Sequence, residues 1–273
     1  MQWRRGFVND EPQLIHLTHL ATAEVAAIRA LYDATFADDE RVPWERLWPW
    51  HLTPDDDFRS VFWAATMAGE VAGLACFGYF RRPNLGYLMY LAIRPDLRGQ
   101  GVGGWLCGQV FAAVQQRAQA AAGADPRLIF WETRRIEDAD DAAEAELRRR
   151  RIAFYERQAG CVLPIAYTCP PIAAGQPPVA FTVMARTYPP GRPLTAAEAL
   201  DVALTGLIEA NDADPESAYV AAAVRSVCDR SYQSYLLKNL GEGHGLAPAQ
   251  AGDREGSPLP IEKILPVTQA EAF

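Results

Sequence analysis

The chain has 273 residues, 49% of them hydrophobic, with a formal net charge of −8 at pH 7 and five cysteines. That length and apolar content suffice for one sizeable core with an appendage, and the acidic balance argues against a nucleic-acid partner. No apolar run reaches membrane-spanning length, the start of the chain has no signal-peptide pattern, and the unclustered cysteines and four histidines point away from disulfides or a metal. A cytoplasmic protein without a membrane partner is the expectation.

Leu14 to Leu20 alternates as a half-buried strand does. A helical period begins at Thr22 and puts Val25, Ile28, Leu31 and Tyr32 on one face. Phe36 to Trp50 reads as a loop rich in acids and tryptophan. Strands Ser60 to Met67, Val71 to Tyr79 and Tyr87 to Ile93 follow in meander order, turning at Ala68-Gly69-Glu70 and Arg82-Pro83-Asn84. Next come a helix from Trp105 to about Ala122, a strand from Leu128 to Thr133, and a helix from about Ala142 to Gln158 with Gly160 as its C-terminal glycine. Val162 to Tyr167 and Val179 to Arg186 read as a last strand pair. This order predicts an α/β fold, a mixed sheet with helices on both faces, over residues 1–190.

Residues 191–240 read as a helical extension. Thr195 and Glu198 spell a capping box, and Asp214-Pro215 places a cap before a first-turn proline. Helices over about Ala196 to Glu209 and Pro215 to Leu240 are expected. Val220, Val224, Val227, Cys228, Ser231 and Tyr235 form a stripe on the second. Such a stripe packs on its own domain or at a homodimer interface. Residues 241–273 are rich in glycine and proline and are read as an irregular tail.

The most informative stretch is Arg98-Gly99-Gln100-Gly101-Val102-Gly103-Gly104, set between the apolar run ending Leu91-Ala92-Ile93 and the following helix. Missing Cβ atoms let backbone N–H groups close around an anion, and the helix dipole favours a phosphate there. Gly99, Gly101 and Gly104 also satisfy the dinucleotide spacing G-x-G-x-x-G, with Glu132 as the acid in the next strand. Arg94-Pro95-Asp96-Leu97-Arg98 separates these glycines from the strand end, where that fingerprint requires its first glycine.

Tyr90 to Gly103, with Arg98, Gly101 and Gly103 in the spacing Arg/Gln-x-x-Gly-x-Gly/Ala, resembles the acetyl-CoA loop of the GNAT-superfamily N-acetyltransferases. Phe154-Tyr155 followed by Gly160 resembles that superfamily's Phe-Tyr-x-x-x-Gly-Phe segment, in the right order downstream. The resemblance implies a GNAT-like acyl-CoA N-acyltransferase fold whose fourth and fifth strands splay around the pantetheine arm. It implies that Leu91, Ala92 and Ile93 pair with that arm and that Arg98, Gly99, Gln100, Gly101, Val102, Gly103 and Gly104 hold the pyrophosphate. The co-substrate implied is acetyl-CoA, without a metal, and the acceptor a small-molecule amine.

Tyr155 matches the tyrosine that protonates the departing thiolate in that superfamily; packing on the face it shares with Ile152 and Ala159 is its ordinary alternative. Related sequences carry a glutamate on the fourth strand, where this chain has Met89, and an asparagine after the fifth that has no match here. Glu132 is the remaining candidate base, with a structural pairing to Arg134 or Arg135 as the alternative; Tyr87 and Tyr90 are weaker candidates. Acids in Phe36 to Trp44 would attract a cationic amine, with Trp44, Trp48 or Trp50 as a wall. Arg148 to Arg151 reads as a solvated helix face, from which some arginines reach a cofactor phosphate if the helix lies near the loop. Met89 also motivates a second reading, an acyl-CoA binder or sensor without turnover. The dinucleotide spacing motivates a third, a nicotinamide oxidoreductase.

Overall fold

The structure is a computed structural model and describes residues 11–16, 22–50 and 60–228. Seven strands form one sheet: β1 (Gln13–His16), β2 (Val61–Met67), β3 (Glu70–Phe80), β4 (Leu85–Ile93), β5 (Leu128–Arg134), β6 (Cys161–Cys169) and β7 (Val179–Thr187). Their order is β1-β2-β3-β4-β5-β7-β6. β2 and β3 meet at a two-residue turn in which Ala68 and Gly69 take φ of 51° and 77°, the left-handed pair that matches strand twist. β3 is buried almost throughout, so its apolar run is continuous rather than alternating.

β4 and β5 are parallel, and their pairing covers only Leu85–Tyr87 against Leu128–Phe130. Opposite Cys76 and Phe77 of β3, β4 carries one extra residue, Met89. Such a bulge bends its strand and strengthens the local twist, and here it lies where β4 leaves β5. The other pairings are antiparallel among the described strands. This topology removes the doubly wound sheet that a dinucleotide reading requires.

Helices α3 (Val102–Ala122) and α4 (Ala142–Glu156) cover one face, where Leu106, Val110, Val114 and Tyr155 pack on Phe77, Leu88, Ile129 and Trp131. On the other face, α1 (Thr22–Thr35) and α2 (Trp44–Trp50) cover Phe62, Leu74 and Ala92. Beside them α5 (Ala196–Leu204), the π-helical turn Thr205–Ala210 and α6 (Ala218–Cys228) cover Leu85, Tyr87, Phe130, Tyr167 and Val183. The capping box of α5 is formed in both directions between Thr195 and Glu198. β6 bulges around Pro164, which has no N–H, and the Ala166 N–H donates instead to Ser226 Oγ of α6 at 2.9 Å.

Several boundaries differ from the sequence reading, each for a local reason. Phe36 to Trp50 is not all loop: Trp44, Leu47 and Trp48 recur at helical spacing and bury α2 against Tyr32 and Phe62. α3 starts at Val102, three residues early, because Gly101 at φ 92° turns the chain directly into the helix. After α4 it is Ala159 that takes the left-handed conformation, at φ 63°. Gly160 is required by space instead, since a Cβ there would lie 2.7 Å from the Trp131 ring. Asp214 accepts from Glu216 N–H in a turn, Ser217 takes the cap, and α6 begins at Ala218 rather than Pro215. Leu17 to Leu20, Ser231, Tyr235 and the tail 241–273 lie outside the described residues. Among those described, no helix is long and apolar enough to cross a membrane, and no group of three or more His, Cys, Asp or Glu could hold a metal.

Candidate active site

β4 ends at Ile93, a 3₁₀ turn at Pro95–Leu97 reverses the chain, and Arg98 to Gly101 lead into α3. Gly99 and Gly101 hold φ of 77° and 92°, the left-handed region that glycine enters without strain. Arg98 is exposed, and its Nε donates to the Ile93 carbonyl at 3.2 Å, so the side chain braces the turn. Gln100 braces it too, donating to the Asp96 carbonyl at 2.8 Å. No side chain caps α3, and the first intrahelical bond comes from Trp105 N–H to Gly101 O at 3.0 Å. The N–H groups of Val102, Gly103 and Gly104 therefore precede the ladder, at the positive end of the dipole.

Below this loop lies the gap between β4 and β5. Leu91, Ala92 and Ile93 pair with β3 through one edge and leave the edge toward β5 without a strand partner. Phe154 of α4 approaches Gly103, where a Cβ would sit 3.5 Å from its ring. Next to it Tyr155 is 7% exposed and packs on Trp131 with ring centroids 4.7 Å apart. Burial first, and then Cys107, holds its phenol well above the ordinary value, so it is a neutral proton donor. A groove of about 390 Å³ between α3, the turn after α4 and the end of β7, lined by Gly108, Arg157, Gln158 and Arg186 among others, adjoins the loop through Gln158 and Gly104.

On the opposite face of β5, Glu132 enters a narrow cavity of about 70 Å³ whose lining includes Phe36, Tyr87, Met89, Tyr90, Phe181 and Asn211. Its carboxylate accepts from Tyr87 Oη at 2.6 Å, Tyr167 Oη at 2.5 Å and Asn211 Nδ2 at 3.2 Å. Burial raises its pKa above the usual carboxylate value, and the hydrogen bonds from Tyr167, Tyr87 and Asn211 oppose that rise without cancelling it. Both tyrosines are raised in turn, by burial and then by the neighbouring carboxylate, so they remain donors. Glu132 and Tyr155 thus stand on the two faces of the sheet beside one gap.

The pairing of Glu132 with Arg134 or Arg135 is not what the chain forms. Arg134 binds Asp39 and Glu40, and Arg135 binds Glu137 and Asp138. The acids of the Phe36 to Trp44 stretch are therefore ion-paired, Asp39 and Glu40 sharing Arg134 and Asp38 meeting Arg41 at 2.6 Å. Trp44 is 8% exposed and packs on Tyr32 and Phe62, so the aromatic wall is made by Phe36, Tyr87, Tyr90 and Phe181 instead. Trp48 stacks on Trp44, and the side chain of Trp50 lies outside the described set. Arg148 is buried against Glu144 and the Arg135 carbonyl, and Arg149 and Arg150 pair with Glu146 on the surface. Arg151 lines the Glu132 cavity. Met89 is the bulge residue and also lines that cavity, with its sulfur 3.9 Å from Cys76 Sγ. The sequence singles out Tyr167 only within Ala166-Tyr167-Thr168-Cys169-Pro170-Pro171, a stretch resembling the Tyr-x-Gln-Pro-Pro segment of some bacterial members of that superfamily, without its contact to Glu132, and it gives no sign of Asn211. Both reach Glu132 across long sequence separations.

A sequence profile described as the Acetyltransferase (GNAT) family matches residues 25–160. No curated protein matches the chain by sequence. Among solved structures, a GNAT-family protein from Bacteroides thetaiotaomicron is 17% identical, with a TM-score of 0.52 over 72% of this chain and 97% of its own. One from Desulfovibrio desulfuricans is 20% identical at a TM-score of 0.46, covering 65% of this chain and 99% of its own. An acetyltransferase from Bacillus subtilis, in complex with CoA, is 10% identical at 0.43, again over 65% and 99%. With the splayed β4–β5 pair, the glycine turn into α3 and the profile match, the chain belongs to the GNAT acetyltransferase family.

Proposed function

We propose that the protein transfers an acetyl group from acetyl-CoA directly to the amine of a small molecule. The observation that carries this reading is the β4–β5 gap, which has the glycine loop and Tyr155 on one side and the Glu132 cavity on the other. The loop fits a pyrophosphate: α3 has no side-chain cap, and Gly99 and Gly101 hold left-handed φ values that glycine adopts without strain. Arg98, Gly99, Gln100, Gly101, Val102, Gly103 and Gly104 would hold it, and Arg157 would add positive charge from the neighbouring groove. The free edge at Leu91, Ala92 and Ile93 would pair with the pantetheine arm, and an N–H there would stabilise developing charge on the carbonyl oxygen.

When bound, the thioester supplies the activated acetyl group. Held side by side with the amine, it needs no covalent enzyme intermediate. Glu132, a stronger base than an ordinary carboxylate because it is buried, takes the amine proton directly or through one water. Tyr155, neutral by burial, gives a proton to the departing thiolate. The narrow cavity with aromatic walls selects a slender primary amine, and the paired acids at its rim leave little net charge for steering.

The test is CoA release measured over a panel of small primary amines at fixed acetyl-CoA. Turnover with some of them is expected. Tight acetyl-CoA binding with silence across the panel would replace this reading by a binder without turnover, the role that Met89 would suit.

A further inference from the structure

We infer that Asn211, held by the π-helical turn after α5, is a positioning residue for Glu132, fixing the carboxylate and setting how readily it takes a proton. This rests on the proposed function for its catalytic meaning, but Asn211 lies beyond the 25–160 segment that the family profile covers.

The geometry leaves the amide little choice. Asn211 Nδ2 donates to Gly206 O at 2.7 Å and to Glu132 Oε1 at 3.2 Å, with Tyr167 Oη at 3.5 Å. The first two partners are acceptors, so the nitrogen, and not the amide oxygen, must face them. Gly206 can stand there only as glycine: a Cβ would lie 2.3 Å from Tyr167 Oη and 3.2 Å from the Phe130 ring. Thr205–Ala210 is π-helical, a wider coil found frequently at functional sites, and its end is tied by Ala213 N–H to Leu207 O at 2.8 Å. The α5 end of this device is anchored by Glu198, which closes the capping box and accepts from Arg192 Nη2 at 2.6 Å.

Several other groups face Glu132 or share its cavity. They are Tyr87 and Tyr90 from β4, Tyr167 and Cys169 from β6, the Asp39 and Glu40 pair with Arg134, and Arg151 from α4. All of them remain when Asn211 is changed. A donor to the carboxylate favours its charged form, so losing that donor makes Glu132 hold its proton to higher pH.

The experiment titrates the Glu132 carboxyl by ¹³C NMR in the full chain, assigned with Glu132→Gln, for the unaltered protein, Asn211→Ala and the near-isosteric Asn211→Asp. The midpoint is expected to rise by about one pH unit in Asn211→Ala, a tenfold change in proton affinity. It rises further in Asn211→Asp, where two carboxylates share one proton and the value belongs to the pair. The acidic limb of kcat/KM moves with it: well below the midpoints Asn211→Ala is about tenfold slower, and above them it is within about twofold. KM for acetyl-CoA does not move. An unmoved midpoint in both variants, or a uniform loss of rate at every pH, would make Asn211 a packing residue and overturn the inference. If the midpoint shifts while no amine yields CoA, the proposed function fails and the control of Glu132 by Asn211 stands.

Discussion

The two ends of the β4–β5 gap are built from different materials. At the loop end the groups that the proposed function uses are backbone N–H donors from one continuous stretch, and the exposed side chains of Arg98 and Gln100 hydrogen-bond back to brace the turn. At the cavity end the groups that it uses are hydrogen-bonded side chains from separate segments, Tyr87, Glu132, Tyr167 and Asn211. A site made of backbone is damaged by added atoms. A site made of hydrogen-bonded side chains is damaged by lost atoms. Substitutions of opposite kinds should therefore disable the two ends, and that contrast can be broken by experiment.

The largest effect is expected from Gly101→Trp. Gly101 stands at φ 92° immediately before α3, so an indole there strains the turn and fills the space before the helix N-terminus. Acetyl-CoA binding, followed by titration calorimetry, should fall by about a hundredfold or more, an effect of the size lost with several hydrogen bonds to an anion. Retained affinity would place the diphosphate elsewhere.

Next in size is Glu132→Gln, which keeps the shape and removes the proposed base. A loss of about a hundredfold in kcat is expected, the lower range for general-base catalysis, with acetyl-CoA affinity unchanged. The pH sign follows from burial. Glu132 has a raised folded pKa, so below it the base is protonated and the rate falls, and above it the rate reaches a plateau. The same shift makes the folded state hold a proton that the unfolded chain has released. Between the two pKa values stability thus decreases as pH rises, and Glu132→Gln should flatten that slope in thermal melts.

The same difference in material explains what could be read from the sequence. The loop end lies within Leu91 to Gly104, and its chemistry is carried by glycine spacing and by the strand and helix on either side, all local properties. The strands and the capping box of α5 were legible for that reason too. Glu132 was legible as the surviving carboxylate, but its partners were not. Asn211 is 79 positions away, and its approach depends on a π-turn and on the contact of Gly206 with Tyr167, which no periodicity announces. The ion pairing of the acids in Phe36 to Trp44 was not legible, because Arg134 is 95 positions from Asp39. Helix α2 was hidden by its shortness and by Pro49, although its buried spacing is helical.

Tyr155→Phe tests the one side chain proposed to act from the loop side of the gap. The ring keeps its packing on Trp131, so stability and cofactor affinity should hold, and only the proton donor disappears. A fall in kcat of about tenfold is expected, below the full range for general acids because water can partly substitute. An unchanged kcat would assign Tyr155 to packing, where its 7% exposure already suits it.

The smallest effect is expected from Gly99→Ala, and it separates space from conformation at the loop end. A Cβ on Gly99 meets nothing within 4 Å, so a methyl group there clashes with no neighbour. Its φ of 77° nonetheless lies in the left-handed region, which costs an L-residue about 1 kcal/mol. If the loop must keep that conformation to present its N–H groups, the cost appears as about fivefold weaker acetyl-CoA binding. Turnover at saturating acetyl-CoA should stay as it was, since Glu132 and Tyr155 are untouched. A loss as deep as that of Gly101→Trp would mean that the methyl group itself collides with the bound cofactor, and that the diphosphate sits lower on the turn, toward Gly99.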